Sequence, residues 1–157
     1  DDADKIVPLY LEPEAADMND LIGVAVRTII RCVDRHAYVG KARLLTETRL
    51  TGAALQEVEG EGGATSAFME VSGGLLKLAS VFGQEEFAQL DEDALDAAAE
   101  FLNCVNGLHA SALSRDGAIL ELMPPELISG TKSISGSKVC EVPIFVHNKA
   151  LKFIVIK

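Results

Sequence analysis

The sequence predicts an α+β fold, a mainly antiparallel sheet with long helices packed on one face. Three observations carry this. Apolar residues recur at helical spacing in two long stretches. Runs rich in β-branched residues are separated by short turn-forming segments, not by helical crossovers. The order along the chain is helix, two strands, helices, then three strands, so helices are segregated from strand pairs. The 157 residues suit one domain over 1–157, and the 48% hydrophobic content supplies its core. Residues 1–16, with Pro8 and Pro13, read as an irregular N-terminal segment.

From about Asp17 to Asp34 the pattern is helical, with Leu21, Val24, Ala25, Ile29 and Val33 inward and Arg27, Arg31 and Asp34 opposite. Residues 44–58 read as a strand, EGEGG (59–63) as a turn, and 64–71 as the returning strand of a hairpin. Ser72 is placed to cap a helix over 73–82 that Gly83 ends, and EEFAQL (85–90) reads as a further short helix. Asp91 or Asp93 caps a long helix running to about Leu113, with acids in its first turn. AILELM (118–123) is a short strand stopped by Pro124 and Pro125, and 129–138 is a small-residue loop. KVCEVPIFV and ALKFIVIK close the chain as a hairpin around HNK. The last strand is apolar on both faces: Leu151, Phe153 and Val155 point one way, Ile154 and Ile156 the other. Such a strand must be paired centrally or buried in a dimer.

Charge and composition exclude several classes. Net charge is -10 and the 14 Lys and Arg are scattered, so there is no basic stripe for nucleic acid and no attraction to anionic membranes. The longest apolar stretch, LIGVAVRTIIRCV, is interrupted by Arg27 and Arg31 and cannot span a bilayer. The acidic start DDADKIVPLY lacks a signal-peptide apolar run, and Cys32, Cys104 and Cys140 are odd in number and far apart. Both features suggest a cytoplasmic protein with reduced, buried thiols. No lysine follows Gly62 or Gly63, which argues against a phosphate-binding loop. His36, His109 and His147 have no metal-ligand spacing, and His109 falls on the core side of its helix.

The stretch that stands out is LDAAAEFLNCVNG, residues 95–107. Leu95, Ala98, Leu102, Val105, His109 and Ala112, flanked by Phe101 and Leu108, make a core face. Asp96, Glu100, Asn103 and Gly107 form one line nearly opposite. Their neighbours Ala97, Ala99, Gly107 and Ala110 are small, whereas a solvated face usually carries long side chains. An acid and a carboxamide thus stand on a sparsely covered ridge that another protein's surface could approach closely. A plain solvated helix face remains the alternative.

The pattern Asp96-x-x-x-Glu100-x-x-Asn103, then Gly107, then Pro124 and Pro125 some twenty residues on, resembles the CheC/CheX/FliY family. Its members are phosphatases of phosphorylated CheY-type response regulators in bacterial chemotaxis. The resemblance is strong over roughly residues 91–130, compatible in element order after residue 44, and weak over 1–43. CheC-like members carry the motif twice. Here Glu14, Asp17 and Asn19 on the first helix do not form a second copy, so the chain is more similar to CheX, whose relatives are dimers.

The resemblance implies a CheC-like fold and, as substrate, an aspartyl phosphate on a receiver domain. It also implies that Mg²⁺ is held by that partner, with no cofactor bound by this chain. Glu100 would pair with the partner's lysine. A carboxamide has no relevant pKa and both donates and accepts hydrogen bonds, so Asn103 can orient the attacking water without repelling the phosphoryl group. Asp96 and Gly107 would extend the docking edge, although Asp96 reads equally well as a solvated acid. The rival reading is a non-catalytic adaptor or dimer scaffold of the same fold.

Overall fold

The computed structural model describes residues 18–157, so the expected irregular segment and Asp17 lie outside the described residues. In chain order the elements are α1 (Asn19–Cys32), β1 (Tyr38–Val39), β2 (Arg43–Gln56), β3 (Val58–Glu59), β4 (Thr65–Glu70), α2 (Gly74–Gly83), α3 (Glu92–Arg115), β5 (Glu121–Leu122), β6 (Glu126–Val146) and β7 (Lys149–Ile156). Every strand pairing is antiparallel, and the α+β expectation is met.

The main sheet runs β1-β6-β2-β4-β7, and β7 also pairs with β6. The contacts β6–β2, β2–β4, β4–β7 and β7–β6 therefore form a closed circuit. The β2–β6 ladder carries two register shifts, between Leu45 and Glu47 and between Thr51 and Ala53, and at both the extra residues lie on β6. Gly52, at φ +60, supplies the left-handed residue at the second.

The circuit separates two apolar clusters. α1, α2 and α3 cover one face through Ile22, Ile29, Leu78, Phe101 and Leu102 against Phe68, Ile144 and Phe153. Inside the circuit lie Leu50, Ala53, Leu55, Ala67, Val139, Ile154 and Ile156. β7 is apolar on both faces because it borders both clusters, with Phe153 and Val155 on the helices and Ile154 and Ile156 within. It is paired centrally, between β4 and β6. Its covering is intramolecular, so its pattern ceases to argue for a dimer. Glu141, buried beside the inner cluster, accepts from Thr48 Oγ1 and pairs with Lys152 Nζ, tying β2, β6 and β7 together.

Four expectations are corrected. Residues 129–138 are not a loop but the middle of β6. Thr131, Ser133 and Ser135 face out while Lys132 and Ile134 are partly covered, a period of two disguised by small side chains. Ser72 does not cap α2. The Glu70 carboxylate does so, accepting from the backbone N–H groups of Val71, Gly73, Leu75 and Leu76 at 2.9–3.0 Å, while Ser72 Oγ accepts from Ala150 N. EEFAQL is not helical, because Gln84 turns left-handed at φ 54 and Ser80 Oγ takes the Phe87 N–H. Of AILELM only Glu121–Leu122 forms a strand, paired with β3. Asp91 caps α3 as expected, its Oδ1 accepting from Ala94 N at 3.0 Å. The closing turn places His147 and Asn148 at positive φ, as a two-residue hairpin requires.

Candidate functional site

α3 is 24 residues long and only its first two-thirds lie on the core. Leu95, Ala98, Phe101, Leu102 and Val105 are buried as the spacing indicates, and burial ends at Asn106. Beyond it Leu108 and Ala112, expected inside, are exposed, while His109 is half-buried beside Val155 and Lys157 at the end of β7. Burial lowers the pKa of His109; nearby Asp20 opposes the shift and Lys157 adds to it.

Asp96, Glu100 and Asn103 are all exposed, and Gly107 is half-buried with open space above it. Asp96, Glu100 and Asn103 line a cleft of about 620 Å³ with Phe82, Ala99, Cys104, Pro125 and Leu127. Phe82 comes from the end of α2, and Pro125 and Leu127 from the entry to β6. The proline some twenty residues after the motif thus forms the wall opposite Glu100 and Asn103. Glu100 finds no hydrogen-bond or ion-pair partner among the described residues, which leaves its carboxylate available.

The small residues beside this line divide into two kinds. Ala99 is buried and Ala97 faces Gly83, where a Cβ on the glycine would sit 3.4 Å from the Ala97 methyl. Their size lets α2 approach α3. Gly107 has no such neighbour and no positive φ, so packing does not account for it.

Three residues that the helix pattern did not single out complete the site. Gln56, the last residue of β2, donates from Nε2 to Asn103 Oδ1 at 2.7 Å and to the Met123 carbonyl at 2.9 Å. Its Oε1 accepts from Asn106 Nδ2 at 2.8 Å, and Asn106 meets Ser66 Oγ at 3.2 Å. Gln56, Asn106 and Ser66 are essentially inaccessible to water. Gln56 and Ser66 are direct partners across β2 and β4. Strand parity could have exposed Gln56: Ala54 points at the helices, so Gln56, two residues on, places a carboxamide where an apolar residue is the norm.

Cys104 and Cys32 are exposed and only Cys140 is buried, so the expectation of three buried thiols holds for one. Cys32 and Cys104 lie on the uncovered sides of α1 and α3, whereas Cys140 lies on β6. Among the described residues no group of three His, Cys, Asp or Glu side chains is arranged to hold a metal ion, and no helix is long and apolar enough to cross a membrane.

The fold is that of the CheC- and CheX-like chemotaxis proteins. The chain aligns with a CheC-like protein from Shewanella oneidensis MR-1 at TM-score 0.74 and 17% identity, covering 91% of this chain and 98% of that one. It aligns with CheX from Desulfovibrio desulfuricans at 0.71 and 14%, covering 88% and 97%. A third match is the CheX-CheY-BeF3-Mg²⁺ complex from Borrelia burgdorferi, at 0.69 and 15%, covering 88% and 96%. No curated protein matches by sequence. Residues 53–148 match the family described as chemotaxis phosphatase CheX, and the chain belongs to that family.

Proposed function

We propose that this protein hydrolyses the aspartyl phosphate of a CheY-type response regulator, with Asn103 and Glu100 entering the partner's phosphorylation site. The observation that carries the reading is the joint exposure of these two side chains on one wall of a cleft, in a chain of this family. A CheX relative is known in complex with CheY bearing BeF3 and Mg²⁺, which supports a receiver domain as the partner class.

In the reaction, water attacks phosphorus, the P–O bond to the aspartyl carboxylate breaks, and that carboxylate leaves with the electron pair. The proton from water ends on inorganic phosphate. Most of the rate comes from placing the water in line. Asn103 keeps both Nδ2 donors free to hold water, and it adds no charge beside the phosphoryl group. Glu100 pairs with a lysine of the receiver and sets the register, Asp96 and Gly107 border the approach, and Mg²⁺ belongs to the receiver.

The test is phosphate release from phosphorylated CheY-type receiver domains. The parent protein accelerates release, and Asn103→Ala reduces the acceleration by about 100-fold, the scale for losing one positioned polar group. Equal rates for the two would favour the scaffold reading.

A further inference from the structure

We infer that Gln56 is a positioning residue: it fixes which edge of the Asn103 carboxamide faces the cleft. This deepens the proposed function and rests on it. An exposed asparagine amide rotates about a broad torsion and ordinarily presents either edge to solvent. Here Oδ1 is drawn inward by the 2.7 Å bond from Gln56 Nε2, so Nδ2 is the edge left outward.

Gln56 is itself held three ways. A flip of its amide would set Oε1 against the Met123 carbonyl and against Asn103 Oδ1, and would set Nε2 against the Asn106 amide that now donates to it. Three good bonds would become three repulsive contacts around a glutamine that is itself closed off from water. Ser66 Oγ reaches both amide atoms of Asn106, so the fixed reference is the Met123 carbonyl, which can only accept. The orientation is thus set in the interior and delivered to the surface through one bond.

The same glutamine grips the Met123 carbonyl, two residues before Pro125 in the facing wall of the cleft. One buried side chain therefore ties Asn103 to the loop opposite it. The polarity of Gln56 is matched on three sides, by Asn106, the Met123 carbonyl and Asn103, and only the last of these partners faces the cleft.

The experiment compares Gln56→Met with the parent and with Ile154→Val, a lesion in the inner cluster on the far side of the sheet. Phosphate release is followed from receiver domains charged with a small-molecule phosphodonor. Gln56→Met should lower kcat about tenfold or more and leave KM for the receiver within twofold. In the free protein, the Asn103 side-chain NH2 should show a high ¹⁵N order parameter in the parent and a low one in the variant. A kcat loss no larger than that of Ile154→Val at matched melting temperature would overturn the inference, as would a change confined to KM. Should Gln56→Met fail to fold, the parent still decides: a freely rotating Asn103 amide refutes positioning. If Asn103→Ala is inactive while Gln56→Met turns over at the parental kcat, this inference alone falls. If Asn103→Ala is fully active, the proposed function falls and takes this one with it.

Discussion

The polar chain from Asn103 to Ser66 has a wet end and a dry end. Asn103 and Asn106 are the same residue type one turn apart on α3, yet the first is exposed and the second is buried. Gln56 touches both. At the dry end, polarity is matched entirely within the protein and sets geometry. At the wet end, half of the same capacity is left unspent and faces a cleft. The contrast teaches that a polar residue's role follows from which of its hydrogen-bonding groups remain available, since the residue type is constant here.

The sharpest way to break this comparison is to truncate each asparagine. Asn103→Ala should abolish most activity, about 100-fold, and shift stability by no more than about 0.5 kcal/mol, because the site is exposed and Gln56 Nε2 keeps the Met123 carbonyl. Asn106→Ala should do the reverse at the level of folding. It strands Gln56 Oε1 and Ser66 Oγ in a dry site, at a cost of about 2–3 kcal/mol. Denaturant titration alongside phosphate release reads both quantities, and the same profile for both variants would erase the distinction between the ends.

Gly107 sharpens the wet end further. It sits inside α3 without positive φ, and a Cβ there meets nothing within 4 Å. Gly107→Ala should therefore stabilise the free protein by about 0.5–1 kcal/mol through helix propensity. If this ridge borders the receiver, the same methyl weakens the complex, so KM rises while the melting temperature rises. An unchanged KM would remove Gly107 from the docking edge and leave Asp96, Glu100 and Asn103 in place.

How much of this could be read beforehand depended on the range of the interaction involved. The exposure of Asp96, Glu100 and Asn103 follows from helix periodicity, a local rule, and it is legible. So are the Asp91 cap and the closing hairpin, each specified within a few residues. Part of what escaped was long-range. Gln56 meets Asn103 across 47 residues of chain. The Glu70 cap is local but escaped because its carboxylate reaches forward from the end of β4, three residues before the helix N-cap, where capping side chains are not normally sought. The middle of β6 escaped for a different reason. Glycine and serine weaken the alternation, and its strand character comes from pairing with β2 through Thr131, Ser133 and Ile134. Leu108 and Ala112 kept the helical period correctly, but periodicity does not say how wide the covered face is along each part of the helix.

The smallest expected effect lies where α3 leaves the core. His109 is half-buried in a small cavity with Asp20 and Lys157, the charged groups that face it, and its pKa is lowered chiefly by burial. The unfolded chain, with an ordinary imidazole near 6.5, then binds a proton more readily than the folded one. Its contribution to stability is complete above that value and declines as pH falls through it towards the folded pKa. His109→Gln should remove this component, so the fall in melting temperature between pH 7.5 and pH 5.5 becomes shallower while activity at pH 7.5 is retained. An unchanged slope would mean that water reaches the ring freely, and that the dry region ends at Asn106 and does not extend along the helix to His109.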